Sequence, residues 1–280
     1  MTPLWFTLAS FGISLVAGLL GSLLGFGGGI IVVPALTLLL HIDFRYAAGA
    51  AIISVIATSS GAAAAYVREH MTNLRVAMVL EIATTTGAIS GAYVAGVVSQ
   101  RWLYIIFGIV LGYSAVMMFR KRESHASEDA PRDRIADRLG LHDSYYDEAE
   151  GRTITYRVTH TPIGFGLMYV AGVVSGLLGI GSGSLKVPAM DLAMRLPIKV
   201  STATSNFMIG VTAAASAGVY FARGDIDPFI VAPVATGVLL GATVGSRLLS
   251  KIHSSTIRAM FVVVLLFISV QMIYRGVRWK

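Results

Sequence analysis

Apolar runs of 11 to 25 residues, separated by short polar stretches, make up most of the chain. Most of these runs approach or exceed the roughly 20 residues that an α-helix needs to cross the hydrocarbon core of a bilayer. The pattern predicts an all-α integral membrane protein whose helices lie at 4–24, 30–40, 44–66, 74–98, 102–119, 163–178, 185–196, 200–221, 229–249 and 257–274.

The two halves of the chain repeat each other at a constant offset of 154 residues. Gly25, Gly27 and Gly29 correspond to Gly179, Gly181 and Gly183, and Val33-Pro34 corresponds to Val187-Pro188. Matches at one offset over such a length indicate a duplicated unit. We therefore predict a first transmembrane repeat at 1–119, a polar linker at 120–161 and a second transmembrane repeat at 162–280, with four or five transmembrane segments in each repeat.

The second segment of each half is short and follows a cluster of glycines. The two stretches read LLGFGGGIIVVPAL from residue 23 and LLGIGSGSLKVPAM from residue 177. Glycine and proline are poor residues for a helix interior, so each stretch predicts a discontinuous helix. A new helix that began near Ile30 would place Pro34 in its first turn, where the missing N–H costs nothing.

Such a break predicts an anion-binding site, because a helix start presents free N–H groups and a positive dipole end. Two breaks that face each other across a repeat axis match the binding sites of secondary transporters. The simpler interpretation is that glycines only let helices approach closely, as small residues do in bilayers. We assign that role to Gly18, Gly21, Gly87, Gly91, Gly241 and Gly245, and expect Gly91→Ala to have a mild effect.

The predicted substrate-binding residues lie in the two breaks and in the polar stretch STATSN that follows the second one. They are Gly25, Gly27, Gly28, Gly29, Gly179, Gly181, Ser182, Gly183, Ser184, Lys186, Thr202, Thr204, Ser205 and Asn206. For the hydroxyls, the alternative is that they bond back to their own helix backbone.

Ionisable residues inside membrane segments are functional candidates, and Glu81, Lys186 and Asp191 are the three in this chain. Lys186 either binds an anionic substrate, extends toward the interface or pairs with Asp191. Glu81 either carries a coupling proton or bonds a neighbouring helix. The spacing of nucleophiles, bases and histidines matches neither a catalytic site nor a metal site, so we predict no catalytic residue, metal or cofactor.

Composition agrees with a membrane protein, since 55% of the residues are hydrophobic and 13% are charged. The formal net charge of +7 does not indicate nucleic-acid binding, because the Lys and Arg residues lie mostly at the ends of apolar segments. Under five crossings per repeat these loop residues divide ten against six between the two sides, and under four crossings nine against seven. The stronger bias favours an inverted repeat with a cytoplasmic linker and periplasmic termini.

The linker carries eight Lys/Arg and nine Asp/Glu residues. PRDRIADRLGL, from residue 131, predicts a short amphipathic helix. YYDEAEGRTITYRV, from residue 145, predicts a hairpin that turns near Glu150-Gly151. We interpret this region as a solvated linker or a small regulatory cap.

The doubled glycine break with Val-Pro, the ATS sequence at 203–205 and the two-unit layout resemble the sulfite exporter TauE/SafE family, also called the 4-toluene sulfonate uptake permease family. The chain departs from that pattern at Ala50-Ala51, where members usually show Thr-Ser, and in its long charged linker. The resemblance implies a carrier of sulfite, organosulfonates or other small organic anions in the bacterial inner membrane.

We therefore expect a secondary transporter of small anions that works by alternating access, with the lipid bilayer, the anionic substrate and a coupling proton as its partners. The alternative is an uncoupled anion channel with the same binding site. An intramembrane enzyme or assembly factor is a third interpretation.

Overall fold

The computed structural model describes residues 3–68, 71–120, 132–249 and 251–278. Each of the ten predicted apolar segments contains a helix, which confirms the all-α membrane fold. The helices of the first half are α1 (Pro3–Leu24), α2 (Gly29–Leu38), α3 (Phe44–Arg68), α4 (Leu74–Ala95) and α5 (Gln100–Arg120). Those that follow are α6 (Arg134–Leu139), α7 (Thr161–Leu178), α8 (Gly183–Pro188), α9 (Ile198–Ala222), α10 (Pro228–Leu249) and α11 (Ser254–Val277).

Among the described residues, six helices are long and apolar enough to cross a membrane by length and composition: α1, α4, α5, α7, α10 and α11. The helices α3 and α9 are longer, at 25 residues each. They pack against each other, and α10 and α4 cover their sides. These two helices therefore form the inside of the bundle.

The helix pairs of the two halves correspond to each other under the 154-residue offset, because α7 is the counterpart of α1 and α10 is the counterpart of α4. The pair α1–α10 thus corresponds to α7–α4, and both pairs are in contact. Equivalent side chains also make equivalent contacts. The hydroxyl of Tyr66 donates to the carbonyl of Ser22 at 2.9 Å, and that of Tyr220 donates to the carbonyl of Gly176 at 2.9 Å.

Close glycine contacts give the relative directions of the packed helices. A Cβ on Gly87 would meet the backbone of Tyr169, and one on Gly91 would meet the backbone of Leu177, so α4 and α7 run in the same direction. In contrast, α5 and α11 run in opposite directions, because Gly108 lies beside Ile273 whereas Gly276 lies beside Ile105. Equivalent helices of the two halves are therefore antiparallel at this contact.

The six glycines assigned to packing each lie against the backbone of a neighbouring segment, as predicted, but the expectation for Gly91→Ala is wrong. A Cβ at Gly91 would overlap the carbonyl oxygen of Val173 on α7. Backbone cannot move aside as the end of a side chain can, so this substitution would push α4 and α7 apart. The close helix contact itself makes alanine costly there.

The position predicted for the prolines is also wrong. Because Gly28 has a left-handed backbone with φ 71°, α2 already begins at Gly29, and Pro34 lies in its second turn. In the second half, α8 ends at Pro188 and continues as a π-helical turn, Ala189–Ala193. A proline in a helix interior removes one backbone hydrogen bond and crowds the preceding turn, which fits the altered winding.

The linker forms the predicted helix and hairpin in its described part. Asp133 caps α6 by accepting hydrogen bonds from the N–H groups of Ile135 and Ala136. Strands β1 (Asp143–Asp147) and β2 (Arg152–Tyr156) pair antiparallel. Residues 121–131, including Pro131 of the predicted helical stretch, lie outside the described residues.

The linker is packed against the helices and is not simply solvated. Lys199 of α9 donates to Asp147 at 2.7 Å, and both side chains are fully buried. Asn73, just before α4, donates through Nδ2 to the carbonyl of Leu141 at 2.8 Å and to the hydroxyl of Tyr156 at 3.0 Å. The hairpin and α6 therefore cover the first residues of α4 and α9.

Candidate functional site

The two glycine-rich breaks touch each other between the middles of α3 and α9. A Cβ on Gly183 would overlap the carbonyl oxygen of Gly25, and one on Gly29 would lie 3.2 Å from the Cα of Ile180. Val55, at the centre of α3, lies against both Gly27 and Gly181. The sequence-predicted glycines are thus brought together in one buried place.

The backbone of each break adopts conformations that favour glycine. Gly25 and Gly27 have φ 76°, and their counterparts Gly179 and Gly181 have φ 72° and 77°. Ser182 has φ 57° although it carries a side chain. A non-glycine residue rarely adopts this region, so the serine at this position has a less favourable backbone conformation than a glycine would have.

The first break is closed by hydrogen bonds from neighbouring helices. Ser205 donates to the carbonyl of Gly25 at 2.9 Å, and the amide nitrogen of Asn206 donates to the carbonyl of Ser22 at 2.6 Å. Thr58 of α3 donates to the carbonyl of Gly27 at 3.0 Å. Two predicted binding residues, Ser205 and Asn206, therefore use these groups to hold backbone.

Thr204 is also engaged, since its hydroxyl accepts a hydrogen bond from the backbone N–H of Asn73 at 3.1 Å. This bond ties α9 to the loop before α4, on which the linker packs. Thr204 therefore connects the predicted site to the linker indirectly, through Asn73.

Four of the predicted binding residues keep a polar group that has no hydrogen-bond partner among the described residues. These groups are the hydroxyls of Ser182 and Ser184 in the second break, and the hydroxyl of Thr202 and the amide oxygen of Asn206 on α9. All four side chains are fully buried. Buried polar groups are normally satisfied, so an unpartnered set is a place where a polar ligand can bind.

Lys186 lies on α8 one helical turn after Ser182, on the same face, and is fully buried. Its Nζ donates to the hydroxyl of Thr212 at 2.6 Å and lies 3.7 Å from Oε2 of Glu81. Thr212 in turn donates to Oε1 of Glu81 at 2.6 Å. We call Glu81, Lys186 and Thr212 the charged cluster; it joins α4, α8 and α9.

Asp191 is not the partner of Lys186. It pairs with Arg258 of α11, whose Nη1 lies 3.0 Å from Oδ2. Asp191 belongs to the π-helical turn after Pro188. Of the alternatives for Lys186, the pairing with Asp191 is therefore wrong, whereas the bond from Glu81 to a neighbouring helix is present through Thr212.

Sequence reasoning did not single out Thr212 or Asn73 as contacts of the site. Thr212 is the repeat counterpart of Thr58, and this offset was the signal available in the sequence. The sequence contains no comparable signal for Asn73, because its partners on α9 and in the linker are distant along the chain. In the described ranges, groups of three or more His, Asp or Glu that could hold a metal ion are absent.

Comparison with known proteins decides the family. The description of the sulfite exporter TauE/SafE family fits residues 10–272, nearly the whole chain. The chain belongs to the TauE/SafE family. A relative in Bacillus subtilis (strain 168), "Probable membrane transporter protein YunE", is 28% identical over 273 residues, which cover 95% of this chain and 96% of the relative.

Other relatives carry similar names. "Probable membrane transporter protein YdhB" of the same Bacillus subtilis strain is 27% identical and covers 84% of this chain and 88% of its own length. A "Probable membrane transporter protein" of Xylella fastidiosa (strain 9a5c) is 24% identical over 92% of this chain and 93% of its own length. No solved structure matches the chain significantly. This TauE/SafE protein is a multi-pass membrane transporter.

Proposed function

We propose that this TauE/SafE protein is a secondary transporter that moves small sulfur-containing or organic anions, of the sulfite and organosulfonate class, across the bacterial inner membrane by alternating access. The observation that carries this proposal is the second break: α8 carries the fully buried Lys186 and the buried, unpartnered hydroxyl of Ser184, and a second such hydroxyl, that of Ser182, directly precedes the helix. A cation with hydroxyl donors suits an oxyanion.

Alternating access draws support from the arrangement of the two halves. The breaks meet between α3 and α9, and the equivalent helices α5 and α11 are antiparallel. Two equivalent helices in opposite directions are what an axis in the membrane plane produces, as in transporters built from inverted repeats. An inverted repeat places the linker on one side and both termini on the other, and the loop charges favour a cytoplasmic linker.

The topology has a direct test, because the chain contains no cysteine. Single cysteines at Tyr146 of the linker hairpin and at Leu4 of α1, both exposed, would report the side of each segment with a membrane-impermeant thiol reagent. We expect Tyr146→Cys to react only from the cytoplasm and Leu4→Cys only from the periplasm. Labelling of both from the same side contradicts the inverted repeat.

The function has its test in proteoliposomes. Purified protein is supplied with sulfite, thiosulfate, methanesulfonate, sulfoacetate, taurine and simple carboxylates, and uptake of each is measured with and without a proton gradient. We expect accumulation of at least one sulfur oxyanion above its external concentration when the gradient is present. Flux that only equalises the concentrations indicates the uncoupled channel, and absence of any anion flux contradicts the proposal.

A further inference from the structure

The charged cluster contains one cation and one carboxylate, and these two groups are too far apart for a direct hydrogen bond. Oε2 of Glu81 is 3.7 Å from Nζ of Lys186, and it has no hydrogen-bond partner in the described part of the chain. The bond to Thr212 is the one hydrogen bond that Nζ makes with the described residues. Lys186 therefore retains capacity for a better anionic partner than Glu81.

The other charged groups on the helices packed around the cluster are engaged elsewhere. On α9, Lys199 pairs with Asp147, and the phenol of Tyr220 donates to backbone. Asp191 on the π-helical turn pairs with Arg258. Two further phenols on α5 and α7 are exposed on the outside of the bundle: Tyr113 and Tyr169. Within the described ranges, Glu81 is thus the carboxylate that balances Lys186.

We propose that Glu81 holds the position of the substrate anion on Lys186 in the empty transporter, and that the anion displaces Glu81, which takes up one proton from the same side. The inference rests on the proposed function and specifies its coupling. After displacement, an ionised Glu81 would be left in the bilayer interior without its cation, which is costly. The protonated carboxyl is neutral and can donate its hydrogen to Thr212 Oγ1.

The repeat supports a single exchange site in each chain. The counterparts of Glu81 and Lys186 in the other half are Ala235 and Val32, which carry no charge. The counterpart of Thr212 is Thr58, and it bonds to the carbonyl of Gly27. One charged cluster per chain predicts one proton for each anion.

The exchange predicts how binding depends on pH. In the wild type, Lys186 is freed only when a proton reaches Glu81, so the Kd for the anion should rise with pH, approaching tenfold per unit where one proton is taken up per anion. In Glu81→Gln the competing carboxylate is absent. At the acidic end of the range this variant should bind the anion at least as tightly as the wild type does. At higher pH its binding should weaken, because the ammonium of Lys186 is then buried without its carboxylate and can release its proton.

The test measures anion affinity and proton uptake of the purified full-length protein between pH 6 and 8. The probes are thiosulfate and methanesulfonate, which carry no proton of their own in that range, and sulfite for affinity alone. We expect the wild type and the control Glu150→Gln, the same change in the linker, to take up one proton per anion. Glu81→Gln should take up none at pH 6, where Lys186 keeps its own proton.

Two results overturn the inference and leave the proposed function standing: proton uptake that persists in Glu81→Gln at pH 6, or wild-type affinity that does not change with pH. If the wild type binds none of the three anions, the proposed function fails, and the inference fails with it. Weaker binding by Glu81→Gln than by the wild type at pH 6 would also overturn it, because Glu81 would then assist the anion and not compete with it.

Discussion

The two glycine-rich breaks have the same backbone conformation but differ in the side chains that surround them. Gly27 and Gly181 have φ 76° and 77°, and Val55 lies beside both. In the first break, Thr58 donates to the carbonyl of Gly27. In the second break, the equivalent Thr212 donates to a carboxylate and accepts from Lys186. The same residue type at equivalent positions thus closes one break and serves a charged group in the other.

This difference shows how a duplicated fold can divide two tasks. The first break is bonded to α9 through Ser205 and Asn206. The counterparts of these residues on α3 are Ala51 and Ile52, which have no hydrogen-bonding side chain to offer the second break. The second break is therefore less bonded, more polar and charged.

The largest effect on stability is expected at the contact between the breaks. Gly183→Ala would place a Cβ on the carbonyl oxygen of Gly25, whereas Gly29→Ala would meet mainly a methyl group of Val55, at 2.9 Å. Overpacking against backbone should cost about 3 kcal/mol for Gly183→Ala and about 1 kcal/mol for Gly29→Ala. Thermal unfolding in detergent measures both. Equal losses would show that the two breaks pack alike.

A smaller effect should follow from opening the first break. Asn206→Leu removes the amide that donates to the carbonyl of Ser22 and should lower stability by about 1.5 kcal/mol, because a buried hydrogen bond is lost while the carbonyl keeps its bond from Tyr66. The control is Ile52→Leu, the equivalent position on α3, where an isosteric change should cost less than about 1.5 kcal/mol. If the control is as damaging as Asn206→Leu, the amide does not hold the break.

The smallest effect concerns the equivalent tyrosines. Tyr220→Phe removes a donor to the carbonyl of Gly176 and should cost about 1 kcal/mol. Tyr66→Phe should cost less, because its acceptor, the carbonyl of Ser22, keeps the bond from Asn206. The unfolding temperatures of the two variants give the comparison. A larger loss for Tyr66→Phe would contradict the stronger bonding of the first break.

The helices, the linker elements and the position of the breaks follow from local sequence. Hydrophobic runs of membrane length identify helices with little ambiguity, and the constant offset identifies equivalent residues. The linker hairpin was readable because its polar and apolar residues alternate around Glu150-Gly151. Each of these signals lies within one segment or depends on a simple repetition.

The charged cluster could not be read in the same way. The contact of Glu81 with Lys186 and Thr212 depends on how α4, α8 and α9 are rotated against one another, and an apolar segment does not specify its rotation. The same reason explains why Gly91 was expected to tolerate alanine. Only the packed neighbour, α7, shows that its backbone lies too close.

The most direct test of the central claim, that Lys186 in the second break binds the anion, removes its charge while keeping the buried charges balanced. The double variant Lys186→Met/Glu81→Gln is compared with Glu81→Gln alone and with Lys251→Met, the same change at an exposed lysine. A hydrogen bond to a charged group contributes about 1.5–3 kcal/mol, so the double variant should bind the tightest anion of the panel about 10- to 100-fold more weakly than Glu81→Gln does. Lys251→Met should bind as the wild type does. If the double variant binds as tightly as Glu81→Gln, Lys186 is not the anion-binding residue and the second break is not the site.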